Sequence, residues 1–159
     1  MKKHLLLVLI IILSMFGLMA CGGDDAIKEV TISPDELCAR LSEETVTTDP
    51  LAALPSNDLI VATYFVDMEK IEDSAAYLNT GITGCEIAAI KCSDESYASE
   101  VAELFKNRVK KQHELYSTYD TVAAAKIDKA LIKTSGNYVV LCIADDYDKA
   151  EEILKEVGF

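Results

Sequence analysis

Histidine and positive charge are both scarce in this sequence. Its 159 residues include two histidines, His4 and His113, and 15 lysines and arginines against 27 aspartates and glutamates, for a formal net charge of −12. The shortage of bases argues against nucleic acid and anionic polymers as partners, because phosphate binding rests on neutralisation by Lys and Arg. With so little histidine and no CxxC or HxxxH spacing, the chain offers no zinc constellation, and neither a metal nor a cofactor is expected. No internal repeat or low-complexity tract appears, and the one linker-like stretch is Gly22-Gly23-Asp24-Asp25. A membrane-spanning run is missing too. The weakly polar stretch from Leu5 to Ala20 covers 16 residues, short of the roughly 20 a helix needs to cross about 30 Å of hydrocarbon.

That short run carries a different signal. Met1-Lys2-Lys3-His4 precedes LLLVLIIIL and then Ser14-Met15-Phe16-Gly17, which is a positive region, an apolar region and a small-residue exit, so residues 1–20 read as a signal peptide. Leu18-Met19-Ala20-Cys21 resembles the lipobox of bacterial lipoproteins. In such proteins the sulfur, the most nucleophilic side chain near neutral pH, carries a diacylglycerol, and cleavage leaves a lipidated amino terminus. The resemblance implies lipidation at Cys21. Two acyl chains, at about 0.8 kcal/mol per buried methylene, anchor stably where one binds reversibly. Residues 21–32 are then the lipidated cysteine and its tether, and 33–159 form a single domain. Removing residues 1–20 takes Lys2 and Lys3 and no acid from a net charge of −12, leaving about −14.

Ordered structure is expected to begin at Ser33-Pro34-Asp35-Glu36, a capping box with proline in the first turn, and to run as a helix to about Glu44. DLIVATYFV, 58–66, mixes strand-forming residues with a helix start at Pro55-Ser56-Asn57-Asp58, and a short buried helix is the reading adopted. Segments 74–79 and 85–92 flank the Gly81–Gly84 turn as a hairpin. A long helix is predicted from Asp94 to Tyr119, with a semi-apolar stripe that includes Arg108 and Gln112. A second hairpin pairs 126–133 with 138–143 around Thr134-Ser135-Gly136-Asn137. A last helix runs from Asp146 to Val157 and stops at Gly158. The order implies an α+β domain in two layers, an antiparallel four-stranded sheet of two hairpins packed against a long helix and a C-terminal helix.

The lipobox, TYFVDMEKIED, CEIAAIKC, the helix with Arg108, Gln112 and Tyr119, and GNYVVLCIADD together resemble an uncharacterised lipoprotein family of Gram-positive bacteria, defined by a domain of unknown function. The resemblance spans most of the chain beyond Cys21. It implies attachment to the outer face of the cytoplasmic membrane and carries over no catalytic residue.

Chemistry is therefore sought residue by residue. Cys38, Cys85, Cys92 and Cys142 allow three full pairings. Cys85 and Cys92 lie seven apart on one predicted strand, so about 23 Å separates them at 3.3 Å per residue, whereas a bridge needs α-carbons within about 7 Å. The sets 38–85/92–142 and 38–92/85–142 remain, beside the reading of all four as buried apolar thiols. His113, flanked by Lys110, Lys111 and Glu114, lies off the apolar stripe and reads as a solvated residue rather than as the base of a Cys–His dyad. Asp145, Asp146, Asp148, Glu151 and Glu152 lack the pattern of a calcium loop and suit a helix start. Asp67, Glu69, Glu72 and Asp73 read as a solvated connection.

Arg108, Gln112 and Tyr119 place polar groups along a packing stripe. A buried arginine needs an acid partner or a bound anion, so these three are the candidate ligand residues, in a pocket between the long helix and the sheet. The functional expectation is a membrane-anchored, extracytoplasmic, non-enzymatic lipoprotein that binds a small solute or a protein partner; an extracytoplasmic thiol- or carboxylate-dependent enzyme is the alternative. A two-lobed solute receptor does not fit a domain of this size.

Overall fold

The computed structural model describes residues 29–159. The signal peptide, Cys21 and the tether up to residue 28 lie outside the described residues. Helix α1 spans Pro34–Thr45, and it starts as its sequence dictates: Ser33 Oγ accepts from the Glu36 amide while the Glu36 carboxylate accepts from the Ser33 amide. A three-residue strand β1, Leu51–Ala53, leads to α2, Asn57–Tyr64, capped by Ser56. A 3-10 turn, Met68–Lys70, then opens β2, Ile71–Asn79, which pairs with β3, Glu86–Cys92. Helix α3, Glu95–Tyr116, is capped by Asp94, and a short α4, Thr121–Ile127, follows under the Asp120 cap. Strands β4, Leu131–Ser135, and β5, Tyr138–Ile143, form the second hairpin. Helix α5, Tyr147–Val157, closes at Gly158, whose φ of 109° lies in the left-handed region that glycine tolerates.

The sheet has five strands in the order β1-β2-β3-β5-β4, with every neighbouring pair antiparallel. Four of the sequence expectations need correction. The four-stranded sheet gains β1 at its edge, and the domain is not two-layered, because helices cover both faces. Alternation within the central strands sorts the core: Ala88, Ile90, Val139, Leu141 and Ile143 pack with α2, α3 and Ile127 of α4, while Ile87, Ala89, Val140 and Cys142 pack with α1 and α5. Burial on both faces explains why β3 and β5 read as nearly continuous apolar runs. The expected strand 126–133 is helix up to Ile127 and strand only from Leu131. The long helix ends at Tyr116, so Tyr119 falls in the turn that follows it.

Among the described residues no helix is long and apolar enough to cross a membrane. The four cysteines of the domain are buried and free, so neither complete disulfide set forms. Cys38 and Cys142 share one core and Cys92 lies in the other.

Candidate functional site

Glu86, the single acid in the apolar strand β3, is 5% exposed. A carboxylate so placed needs a partner, and α3 supplies one. Arg108 Nε donates to Glu86 Oε1 at 3.1 Å and Nη2 donates to Oε2 at 2.9 Å, a forked pair between helix and sheet. Burial pulls the guanidinium pKa down, but hydrogen bonding and charge from Glu86 outweigh it and hold Arg108 above its ordinary value. Gln112, one turn along, completes the set. With its amide oxygen turned inward it accepts from Arg108 Nη1 at 2.9 Å and Nη2 at 2.5 Å. Of the five guanidinium donors, one Nη1 hydrogen is left uncommitted by these bonds. The third sequence candidate is not part of this group. Tyr119 is 56% exposed and packs on Tyr116, ring centroids 5.1 Å apart.

Arg108 separates two cavities. The smaller, about 80 Å³, lies toward the sheet and is bordered by Gly84, Cys85, Glu86, Gln112 and Tyr116. The larger is a cleft of about 420 Å³ between α2 and α3, lined by Thr63, Tyr64, Phe65, Leu104, Asn107, Arg108 and Lys111, a size that suits a small ligand. Tyr64 forms its floor. The Tyr64 ring stands edge-on to Phe105 and under Arg108, and its buried hydroxyl makes no well-formed hydrogen bond among the described residues. Burial, then the neighbouring Glu86 carboxylate, pushes that hydroxyl well above the ordinary tyrosine range. Phe65 forms one wall. It ends α2 at φ 60° and ψ 32°, a left-handed conformation rare for a bulky residue, with its ring 72% exposed. Lys111 Nζ lies 5.3 Å from that ring's centroid.

A second polar cluster sits on the other side of Cys85. Lys126 Nζ donates to Asp145 Oδ1 at 2.5 Å and to Cys85 Sγ at 3.3 Å. Asp145 Oδ2 accepts from the backbone amides of Thr47 and Thr48 at 2.7 and 2.9 Å and from both hydroxyls. Burial alone would raise the Asp145 pKa, but Lys126 and these donors overcome it and hold the carboxyl well below the usual range. The same burial raises the Cys85 thiol despite Lys126, and it pushes Cys92 up to about 11 and Cys142 up to about 12. Cys38 is raised well above its ordinary value. Each of these groups is therefore a protonated thiol near neutral pH, not a nucleophilic thiolate.

Several of the remaining sequence candidates have structural partners. His113 Nε2 lies 3.3 Å from Asp128 and against Ser117, with no thiol near it. Asp146 caps α5, Glu152 pairs with Lys149, and Glu151 faces Lys133. Asp67 caps the 3-10 turn and Glu72 pairs with Lys91. Among the described residues no group of three or more His, Cys, Asp or Glu is placed to hold a metal ion. Sequence reasoning reached Arg108 and Gln112 but missed Glu86, Phe65 and Lys111. For Glu86 the available signal was one acid in an otherwise apolar strand.

No curated protein and no solved structure shows significant similarity to this chain. One family does match, over residues 55–144, which is more than half of the chain and runs from the start of α2 to the end of β5. That region holds both cavities, the Glu86–Arg108 pair and all of the α2–α3 cleft, and it leaves out α1 and α5. The chain belongs to the DUF4358 family, a domain of unknown function.

Proposed function

We propose that this protein is a lipid-anchored, extracytoplasmic binding module, a lipoprotein of the Gram-positive type that its lipobox resembles. The diacylglyceryl group on Cys21 ties it to the cell membrane, and the domain recognises a small solute or a membrane-protein partner without catalysing a reaction. The observation that carries the binding half of this reading is the α2–α3 cleft, where an exposed aromatic ring, two cations and a buried tyrosine line one preformed concavity. The thiol-enzyme alternative lacks comparable support, since burial raises every thiol of the domain. The fixed Glu86–Arg108–Gln112 group acts in this reading as the frame of the cleft, because nearly all its hydrogen bonds are internal.

The two halves are tested together on the full chain. Cys21→Ser should move the protein from the detergent phase to the aqueous phase, and a variant that stays in the membrane fraction refutes the anchor. Co-purification from membranes with the native chain should enrich a partner, or a solute screen should raise the melting midpoint, since a ligand selective for the folded state stabilises it. Failure of both refutes the binding module.

A further inference from the structure

We infer that the α2–α3 cleft takes a small monoanionic oxyanion, of the carboxylate kind, carried on an aromatic or apolar body. This rests on the reading of the domain as a binding module and specifies its ligand. The chain has 27 acids and 15 bases, yet the lining of this cleft contains Arg108 and Lys111 and no carboxylate. Other grooves differ: the one beside α5 brings Asp148, Glu151 and Glu152 together with its lysines.

Lys111 lies on α3. On the same helix Lys106 pairs with Glu103 and Lys110 with Glu114. Lys111 has the Phe65 ring as its partner and no carboxylate within ion-pair distance among the described residues. Glu86 already neutralises Arg108 from the sheet side, so the cleft retains one positive charge, and one negative charge matches it. A dianion would be under-compensated, and a cation would meet repulsion.

Leu104, Tyr64 and Phe65 give the lining its apolar part, and Thr63, Asn107 and Arg108 add polar groups to it. Phe65 holds a left-handed backbone that an Asn or Gly would adopt more easily. Its ring is exposed rather than packed in the core, so core packing does not explain it. An aromatic face beside a cation is what a flat or apolar body bearing an acid group requires.

The test is calorimetric titration of the full chain, extracted from membranes in mild detergent, with four probes of related shape. Phenylacetate should bind, while 2-phenylethanol, phenethylamine and acetate should each bind at least about tenfold more weakly, since each lacks one of the two recognised features. Lys111→Glu, at an exposed position, should keep the melting midpoint and abolish phenylacetate binding. If 2-phenylethanol or phenethylamine binds as tightly as phenylacetate, or if Lys111→Glu leaves the affinity unchanged, the oxyanion assignment is wrong. If none of the four binds, the assignment also falls, and the binding-module reading is then judged independently by the membrane co-purification.

Discussion

Glu86 and Arg108 illustrate how one residue's needs dictate another's. A carboxylate this deeply buried is tolerable only while its guanidinium partner is present, and removing one side of such a pair costs about 3–5 kcal/mol. Arg108→Ala should therefore lower the urea midpoint sharply. Glu86→Leu combined with Arg108→Met should recover most of that loss, because replacing both partners leaves no buried charge. A single Arg108→Ala variant of parental stability would show that the pair is not the clamp described. That Arg108 needs an acid partner or a bound anion was legible in the sequence, because it is a charged residue on an apolar stripe. The identity of the acid was not, since Glu86 is 22 residues away and only strand register brings it under the helix. Tyr119 stands apart from Arg108 and Gln112 because the helix ends at Tyr116, short of the periodic stripe read from the sequence.

At the scale of elements, local signals served well where they were complete. The capping box at Ser33 and the Gly158 stop mark their helices as expected, while Asp94, expected as the first helical residue, is the cap that precedes Glu95. The ambiguous DLIVATYFV segment resolves to a helix because Ser56 caps it and Ile60 and Tyr64, four apart, meet the core. Strand β1 was invisible because three residues carry no periodicity. Helix α4 was missed although Asp120 followed by three alanines is a cap and a helix former, because the apolar pattern farther along suggested a strand. Gly84 closes the hairpin next to Glu86 at φ 73°, and a Cβ there would meet Ile127 Cδ1 of α4 at 3.1 Å. The end of α2 provides a test that separates fold from function. Phe65→Asn relieves the left-handed strain and loses an exposed cation–π contact of about 0.5–1 kcal/mol. Its stability should stay within about 1 kcal/mol of the parent, while phenylacetate binding falls. A large loss of stability instead would assign Phe65 to the fold.

For the whole molecule, the expected two layers became three, and the reason was present in the sequence. NYVVLCI and CEIAAIKC are apolar at successive positions, and a strand with one solvated face alternates. The Lys126–Asp145 pair draws the three layers together at one end of the sheet. Lys126 comes from α4 on one face, Thr47 and Thr48 follow α1 on the other, and Asp145 stands just past β5. Asp145 has a folded pKa below its unfolded value of about 3.9. Its contribution is therefore fully present above that value and is lost as pH falls below it toward the folded pKa. Asp145→Asn should lower the urea midpoint at pH 7, and the gap from the parent should narrow as pH drops below about 4. A gap independent of pH would mean that the charge of Asp145 is not what holds the layers.

The cleft between α2 and α3 is the proposed place of recognition. Hydrogen exchange of the full chain in detergent, read by mass spectrometry with and without phenylacetate, locates the ligand directly. Slowed exchange confined to residues 57–66 and 104–111 is the predicted result. Slowed exchange elsewhere, such as along the groove beside α5, or none under conditions where calorimetry shows binding, would contradict it.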